Sequence, residues 1–207
     1  MGWNNIWSWP VTNKTVPKEQ NKKVRLLVTA DCPNRCPKCC NRLYNLDTVP
    51  VIDRWDYEEF NITGGEPSLF EKRIKDLVEG IREIQDAQGI SSKIFIYTSK
   101  INMYLPNFLL LLDGITYTPH SSKDIKEFID YNNRMLKSWY LMKDSALPSL
   151  YQTFSFRLNL FPEIEKLLHQ DIDLGMWNVK HMTWQDNCPI PKGEDFRRIK
   201  DLWKKKE

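Results

Sequence analysis

The sequence predicts an α/β fold, a partial (β/α)6 barrel of parallel strands, and three observations carry that expectation. β-rich runs of strand length alternate with segments of helical spacing. A Gly64-Gly65 pair separates one such run from the helical segment that follows it. The chain has 207 residues, room for about six strands with their crossovers in one domain and short of the eight of a closed barrel. Strands that alternate with helices imply right-handed parallel crossovers.

The elements follow in order. Residues 1–23 carry Trp3, Trp7 and Trp9 with Pro10 and Pro17 and hold no period for long, which predicts an arm whose tryptophans dock on the body. Val24-Arg25-Leu26-Leu27-Val28-Thr29-Ala30 fits a buried strand. Glu59 to Thr63 is a second strand, and after the glycine turn Leu69, Ile74, Leu77, Val78, Ile81 and Ile84 recur at helical spacing as far as Ala87. A strand from Lys93 to Thr98, a helical segment around Tyr104 to Leu112 and a strand from Gly114 to Thr118 come next. A helix from about Ser122 to Met135 starts at a serine cap. Strands near Thr153–Asn159 and Met176–Met182 flank a short helix from Pro162 to His169. The expected organisation is therefore an arm over 1–23, a barrel over 24–182 and an extension over 183–207 that ends in a solvated lysine run.

Hydrophobic residues at 41%, charged at 28% and aromatic at 12% describe a folded globular chain and exclude disorder. The longest apolar run, Phe108 to Leu112, falls far short of the roughly 20 residues of a membrane helix. Met1 to Pro10 lacks the basic and apolar regions of a signal peptide, so a cytosolic chain is expected. A net charge of +3 does not announce a nucleic-acid partner.

Four of the five cysteines fall in Cys32-Pro33-Asn34-Arg35-Cys36-Pro37-Lys38-Cys39-Cys40, directly after the first strand. Adjacent cysteines in a proline-interrupted loop cannot all pack in a core, and near neighbours rarely meet disulfide geometry. Metal ligation is the reading that remains. Pro33 and Pro37 hold Cys32 and Cys36 extended, so thiolates at C-x3-C-x2-C spacing can wrap one centre. Zinc asks for a fourth ligand, for which Cys188, His120, His169 and His181 are the candidates. A [4Fe–4S] cluster normally takes four thiolates, so three would leave one iron open.

Cys32, Cys36 and Cys39, followed after the next strand by Thr63-Gly64-Gly65-Glu66-Pro67, resemble the cysteine loop and the GGEP segment of the radical S-adenosylmethionine (SAM) superfamily. The resemblance covers Val24 to about Asn159. It implies that the three cysteines hold one [4Fe–4S] cluster whose open iron chelates the amino and carboxylate groups of SAM. An electron from a reductant such as flavodoxin or ferredoxin then cleaves SAM to methionine and a 5′-deoxyadenosyl radical, which abstracts hydrogen from a substrate. It also implies SAM contacts from Gly64, Gly65, Glu66 and Pro67, from Thr98 and Ser99 near the ribose, and from Arg157 or Asn159 on the fifth strand. No side chain beyond these is assigned to catalysis.

The same residues have plain structural readings. Gly64-Gly65-Glu66-Pro67 is also an ordinary strand-to-helix turn, and Thr98, Ser99, Arg157 and Asn159 also serve as caps and core hydrogen bonds. His181 and Trp184 are satisfied interface residues or lining of a substrate mouth. The chain departs from the family at Lys38, where an aromatic residue usually precedes the third cysteine. Cys40 is an extra thiol pointing away from Cys39, and Cys188 stands alone, so one cluster is expected.

Two compact branches of the superfamily are near this length, the glycyl-radical activating enzymes and the 7-carboxy-7-deazaguanine synthases. Lys18 to Val24 lacks the glycine- and proline-rich segment of the first, and Cys40-Asn41 stand where the second usually has Asp-Thr. A small molecule or nucleotide is the favoured substrate, ahead of peptide modification and protein glycyl-radical formation of the anaerobic ribonucleotide reductase type. The contrary class is a non-enzymatic zinc or iron–sulfur module.

Overall fold

In a computed structural model, which describes residues 22–34, 36, 39–101, 111–142, 153–168, 171–186 and 189–205, the chain folds around one sheet of seven strands. The tryptophans of the arm, Lys38, most of the helical segment expected from Tyr104, His169 and Cys188 lie outside the described residues. The strands are β1 (Lys23–Thr29), β2 (Glu59–Gly64), β3 (Lys93–Thr98), β4 (Gly114–Tyr117), β5 (Ser155–Leu160), β6 (Asn178–His181) and β7 (Glu194–Trp203). They lie in the order β6-β5-β4-β3-β2-β1-β7, every pair parallel. The described helices are α1 (Cys40–Leu43), α2 (Glu71–Gln88), α3 (Ser122–Met142) and α4 (Pro162–Glu165).

The α/β class stands, as one open parallel sheet with β6 and β7 as its unjoined edges. One expectation changes. A seventh strand lies in the segment expected to be an extension, and it pairs with β1 from Lys23↔Glu194 to Thr29↔Trp203.

Period-two alternation sorts the sheet into two faces. Val24, Leu26 and Val28 of β1, Phe60 and Ile62 of β2, Ile94 and Ile96 of β3, and Phe156, Leu158 and Leu160 of β5 join one buried cluster. That cluster includes Ile74, Leu77, Val78 and Ile81 of α2 and Ile125, Phe128 and Tyr131 of α3, so both long helices cover this face. The intervening positions, among them Arg25, Glu59, Asn61, Thr63, Tyr97, Thr116, Arg157 and Asn159, give the opposite face its polar character.

α2 forms because its apolar residues recur at i, i+3, i+4 and i+7 toward the sheet, each fully buried one contributing about 1.5–3 kcal/mol. Pro67 opens a 3-10 turn over Pro67–Phe70 before it, and Gly89, at φ 65°, ends it in the left-handed conformation that favours glycine. α3 starts with a hydroxyl cap: the Asp124 amide donates to Ser121 Oγ at 3.2 Å, and Asp124 Oδ2 accepts from the His120 amide at 3.0 Å.

Candidate active site

The carboxyl ends of the parallel strands open into one cleft of about 240 Å3. This is the end at which parallel α/β sheets place their ligands. Cys32, Cys36 and Cys39 line it together with Thr63, Gly64, Gly65, Glu66, Thr98 and Ser99. The sequence-expected cysteine loop, glycine turn and β3 end therefore meet in one place.

Gly64 and Gly65 are required by the approach of the chain leaving β1. A Cβ on Gly65 would lie 2.1 Å from the Asp31 carbonyl oxygen, and one on Gly64 would lie 2.3 Å from that of Thr29. Gly64 also sits at φ 145°, a conformation that side chains disfavour. The Gly65 amide donates to Thr29 O at 2.7 Å and the Glu66 amide to Asp31 O at 2.8 Å, which fixes the root of the cysteine loop on the end of β2.

Glu66 is 1% exposed, and both its carboxylate oxygens are occupied within the fold. Oε1 accepts from the Ser68 amide at 3.2 Å, from Ser68 Oγ at 2.7 Å and from the Thr98 hydroxyl. Oε2 accepts from the Ser99 amide at 2.8 Å and from Ser99 Oγ at 2.6 Å. Ser99 Oγ in turn accepts from Asn34 Nδ2 at 2.7 Å, so a continuous chain of hydrogen bonds runs from the cysteine loop through β3 to the glycine turn. Asn34 was not singled out from the sequence, because a polar residue between two cysteines carries no pattern of its own. Pro67 is buried at the first position of the turn after Glu66.

The two β5 candidates point elsewhere. Arg157 lays its guanidinium over the Phe95 ring, 3.8 Å from the centroid, with Nη1 3.9 Å from Glu59 Oε1, and it does not line the cleft. Asn159 donates to Thr118 Oγ1 at 3.2 Å and is likewise outside the lining.

The far wall is aromatic. His120, Phe161 and Trp184 line the cleft, with Phe161 and Trp184 stacked at 3.8 Å and 8° and His120 about equally near both, at 6.1 and 6.0 Å. Burial pushes the His120 imidazole below its ordinary value, so it is neutral at pH 7, and its buried Nδ1 has no hydrogen-bond partner among the described residues. Trp184 belongs to the segment between β6 and β7, and Pro189 and Ile190 from the same segment also line the cleft. His181 instead pairs with Glu165 at 3.2 Å and is mostly exposed.

Behind the wall a buried carboxylate pairs with a partly exposed ammonium. Asp124, 0% exposed, accepts from Lys100 Nζ and from the His120 amide. Burial works to raise its carboxyl, but the Lys100 ammonium, the His120 amide and Ser121 outweigh it and hold the group below the usual range.

Cys32, Cys36 and Cys39 are free, half-buried thiols. Burial first, then the neighbouring Cys39 and Cys32, push Cys36 up to about 11. Burial also raises Cys32, with the Asn34 amide opposing. Thiols close enough to repel one another once ionised suit a cationic centre, which ionises all three together. Among the described residues no group of three or more Cys, His, Asp or Glu is gathered into a ready-made metal site. No described helix is long and apolar enough to cross a membrane. Compared with known proteins, the chain matches no family model and no curated sequence.

Proposed function

We propose that the chain is a radical SAM enzyme, in which Cys32, Cys36 and Cys39 hold one [4Fe–4S] cluster and the open sheet is a partial barrel of the (β/α)6 kind. The observation that carries the reading is that three thiols of one loop share a cleft with the Gly64-Gly65 turn and the Thr98-Ser99 strand end. Coverage of one sheet face by both long helices, with a polar opposite face, supports the partial barrel. When bound, the cluster would supply the electron that cleaves SAM, and a flavodoxin or ferredoxin would be its source.

The chain's own residues position and shield. The Asn34–Ser99–Glu66 chain holds the cysteine loop, β3 and the glycine turn in one arrangement, so the thiols and the strand ends that would face SAM keep their spacing. Glu66 does this with both oxygens, and its part is to hold the turn. Thr98 and Ser99 present the β3 end beside it. Phe161, Trp184 and neutral His120 make the far wall apolar and exclude water from a reactive intermediate.

The test is anaerobic reconstitution with iron and sulfide, reduction, addition of SAM and measurement of 5′-deoxyadenosine. It is expected to form with the unaltered chain and with Cys188→Ala, and to disappear with Cys32→Ala, Cys36→Ala or Cys39→Ala. Undiminished cleavage by Cys36→Ala, or zinc in the untreated protein and no cleavage, would overturn the assignment and favour a structural metal module.

A further inference from the structure

Three neighbouring strands bring to the cleft three polar side chains whose hydrogen-bonding capacity the described residues leave wholly or partly unused. Arg25 of β1, Thr63 of β2 and Tyr97 of β3 all line it. Thr63 pairs with Leu27, one pleat above Arg25, and Tyr97 follows Ile96, the partner of Ile62. The Arg25 guanidinium carbon lies 5.6 Å from the Tyr97 ring centroid.

Arg25 is fixed but not saturated. Its Nε and Nη2 both reach the same Glu194 oxygen, at 3.2 and 3.0 Å, which leaves Nη1 without a partner among the described residues. Its side chain is 24% exposed. The Thr63 and Tyr97 hydroxyls likewise make no hydrogen bond among the described residues. A guanidinium nitrogen is a donor only, and hydroxyls readily donate. Arg25 is also the one Lys or Arg among the described residues lining the cleft. Three donors, one of them permanently cationic, are the complement of an oxyanion. Beside them the Tyr44 and Phe196 rings, 5.6 Å apart at 56°, offer apolar walls on the same cleft.

We propose that Arg25, Thr63 and Tyr97 form an anchoring subsite for the carboxylate or phosphate of a small molecule whose flat, uncharged part lies against Tyr44 and Phe196. Calling that molecule the substrate rests on the radical SAM reading; the anion site itself does not. Arg25 marks the floor of the subsite, four residues before the end of β1 or about 13 Å along the strand at roughly 3.3 Å per residue, while Thr63 and Tyr97 stand one residue before Gly64 and Thr98 at its upper edge. Competition with SAM therefore tests whether the anion and the cofactor occupy separate places.

The experiment is equilibrium binding of three probes, benzoate, phenyl phosphate and the neutral benzamide, to the full chain reconstituted with iron and sulfide, with and without SAM. Benzoate or phenyl phosphate is expected to bind saturably and at least about tenfold tighter than benzamide, as a charge-assisted contact requires. Whichever is tighter names the anion. Tyr97→Phe and Thr63→Val, which leave the Arg25–Glu194 pair intact, are each expected to weaken the anion about three- to tenfold and to leave benzamide unchanged. Arg25→Gln is expected to remove the preference, but it also strands Glu194, so the two hydroxyl variants carry the test. No saturable anion binding, equal binding of benzamide, indifference to both hydroxyl variants or displacement of the anion by SAM overturns the subsite. Selective anion binding without 5′-deoxyadenosine formation supports the subsite and sinks only the enzyme reading; cleavage of SAM without selectivity does the reverse.

Discussion

Glu66 looks, in the sequence, like a ligand-facing acid in a glycine turn; in the fold its carboxylate is enclosed by donors from Ser68, Thr98 and Ser99. Replacing it with glutamine turns one oxygen into an NH2 group that must face a donor. Glu66→Gln is therefore expected to cost about 1–3 kcal/mol of stability, read as a lower melting temperature of the metal-free chain. If Glu66 served only an outside ligand, the melting temperature would not move. Asp124 gives the molecule an acid sensitivity. Its carboxyl lies below the ordinary 3.8 in the folded state, so its contribution is complete above that unfolded value and is lost as pH falls through the folded one. Asp124→Asn is expected to lower stability at pH 7 by about 1–3 kcal/mol and to flatten the decline below about pH 4. Melting curves at pH 7 and in the acid range check both.

At the scale of the elements, the two glycine environments predict opposite outcomes. A Cβ on Gly65 would meet the Asp31 carbonyl oxygen, just past β1, at 2.1 Å, so a side chain there must pry the cysteine loop from β2. Gly65→Ala is expected to destabilise the chain by more than about 1 kcal/mol. Gly80 lies within α2 with nothing within 4 Å of its would-be Cβ, so Gly80→Ala is expected to stabilise by about 0.5–1 kcal/mol. Denaturant titration of the two variants side by side measures both signs. The elements themselves were largely legible. β1 to β4 fall close to their expected ranges because buried parallel strands read as short β-branched or aromatic runs bounded by polar residues. α3 runs to Met142 where Met135 was expected, since no glycine or proline stops it. α4 is a single turn ending at Glu165, shorter than the segment expected to reach His169.

On the scale of the whole molecule, β7 is the element the sequence hid. Phe196, Ile199 and Leu202 fall three apart, a spacing closer to a helix than to a strand, and charged residues fill the gaps. Pairing with β1 overrides that local preference, and the register shift between Leu27 and Thr29 accommodates the irregular spacing. β7 also ties down both ends of the site: Phe196 packs on Tyr44, Trp203 on Phe70, and the Trp203 carbonyl accepts from the Thr29 hydroxyl at 2.7 Å. A chain cut after Met182 bares the edge of β1 along its whole length, so it is expected to aggregate or to lose its cooperative thermal transition. A soluble, cooperatively folded 1–182 fragment would show that β7 is an accessory.

Local features are legible in the residues alone: the alternation of strands and helices, the cysteine spacing, the glycine turn and the serine cap of α3. Each of these is set by a few adjacent residues, through backbone conformation and period. The tertiary structure decided which side chains share a space. It joined Asn34 to Ser99 and Glu66, turned Arg157 away onto Phe95, assembled His120 with Phe161 and Trp184, and gathered Arg25, Thr63 and Tyr97 in one cleft. These contacts join residues far apart in the chain, Asn34 and Ser99 by 65 positions. Strand order and register bring such residues together, and no local pattern encodes either.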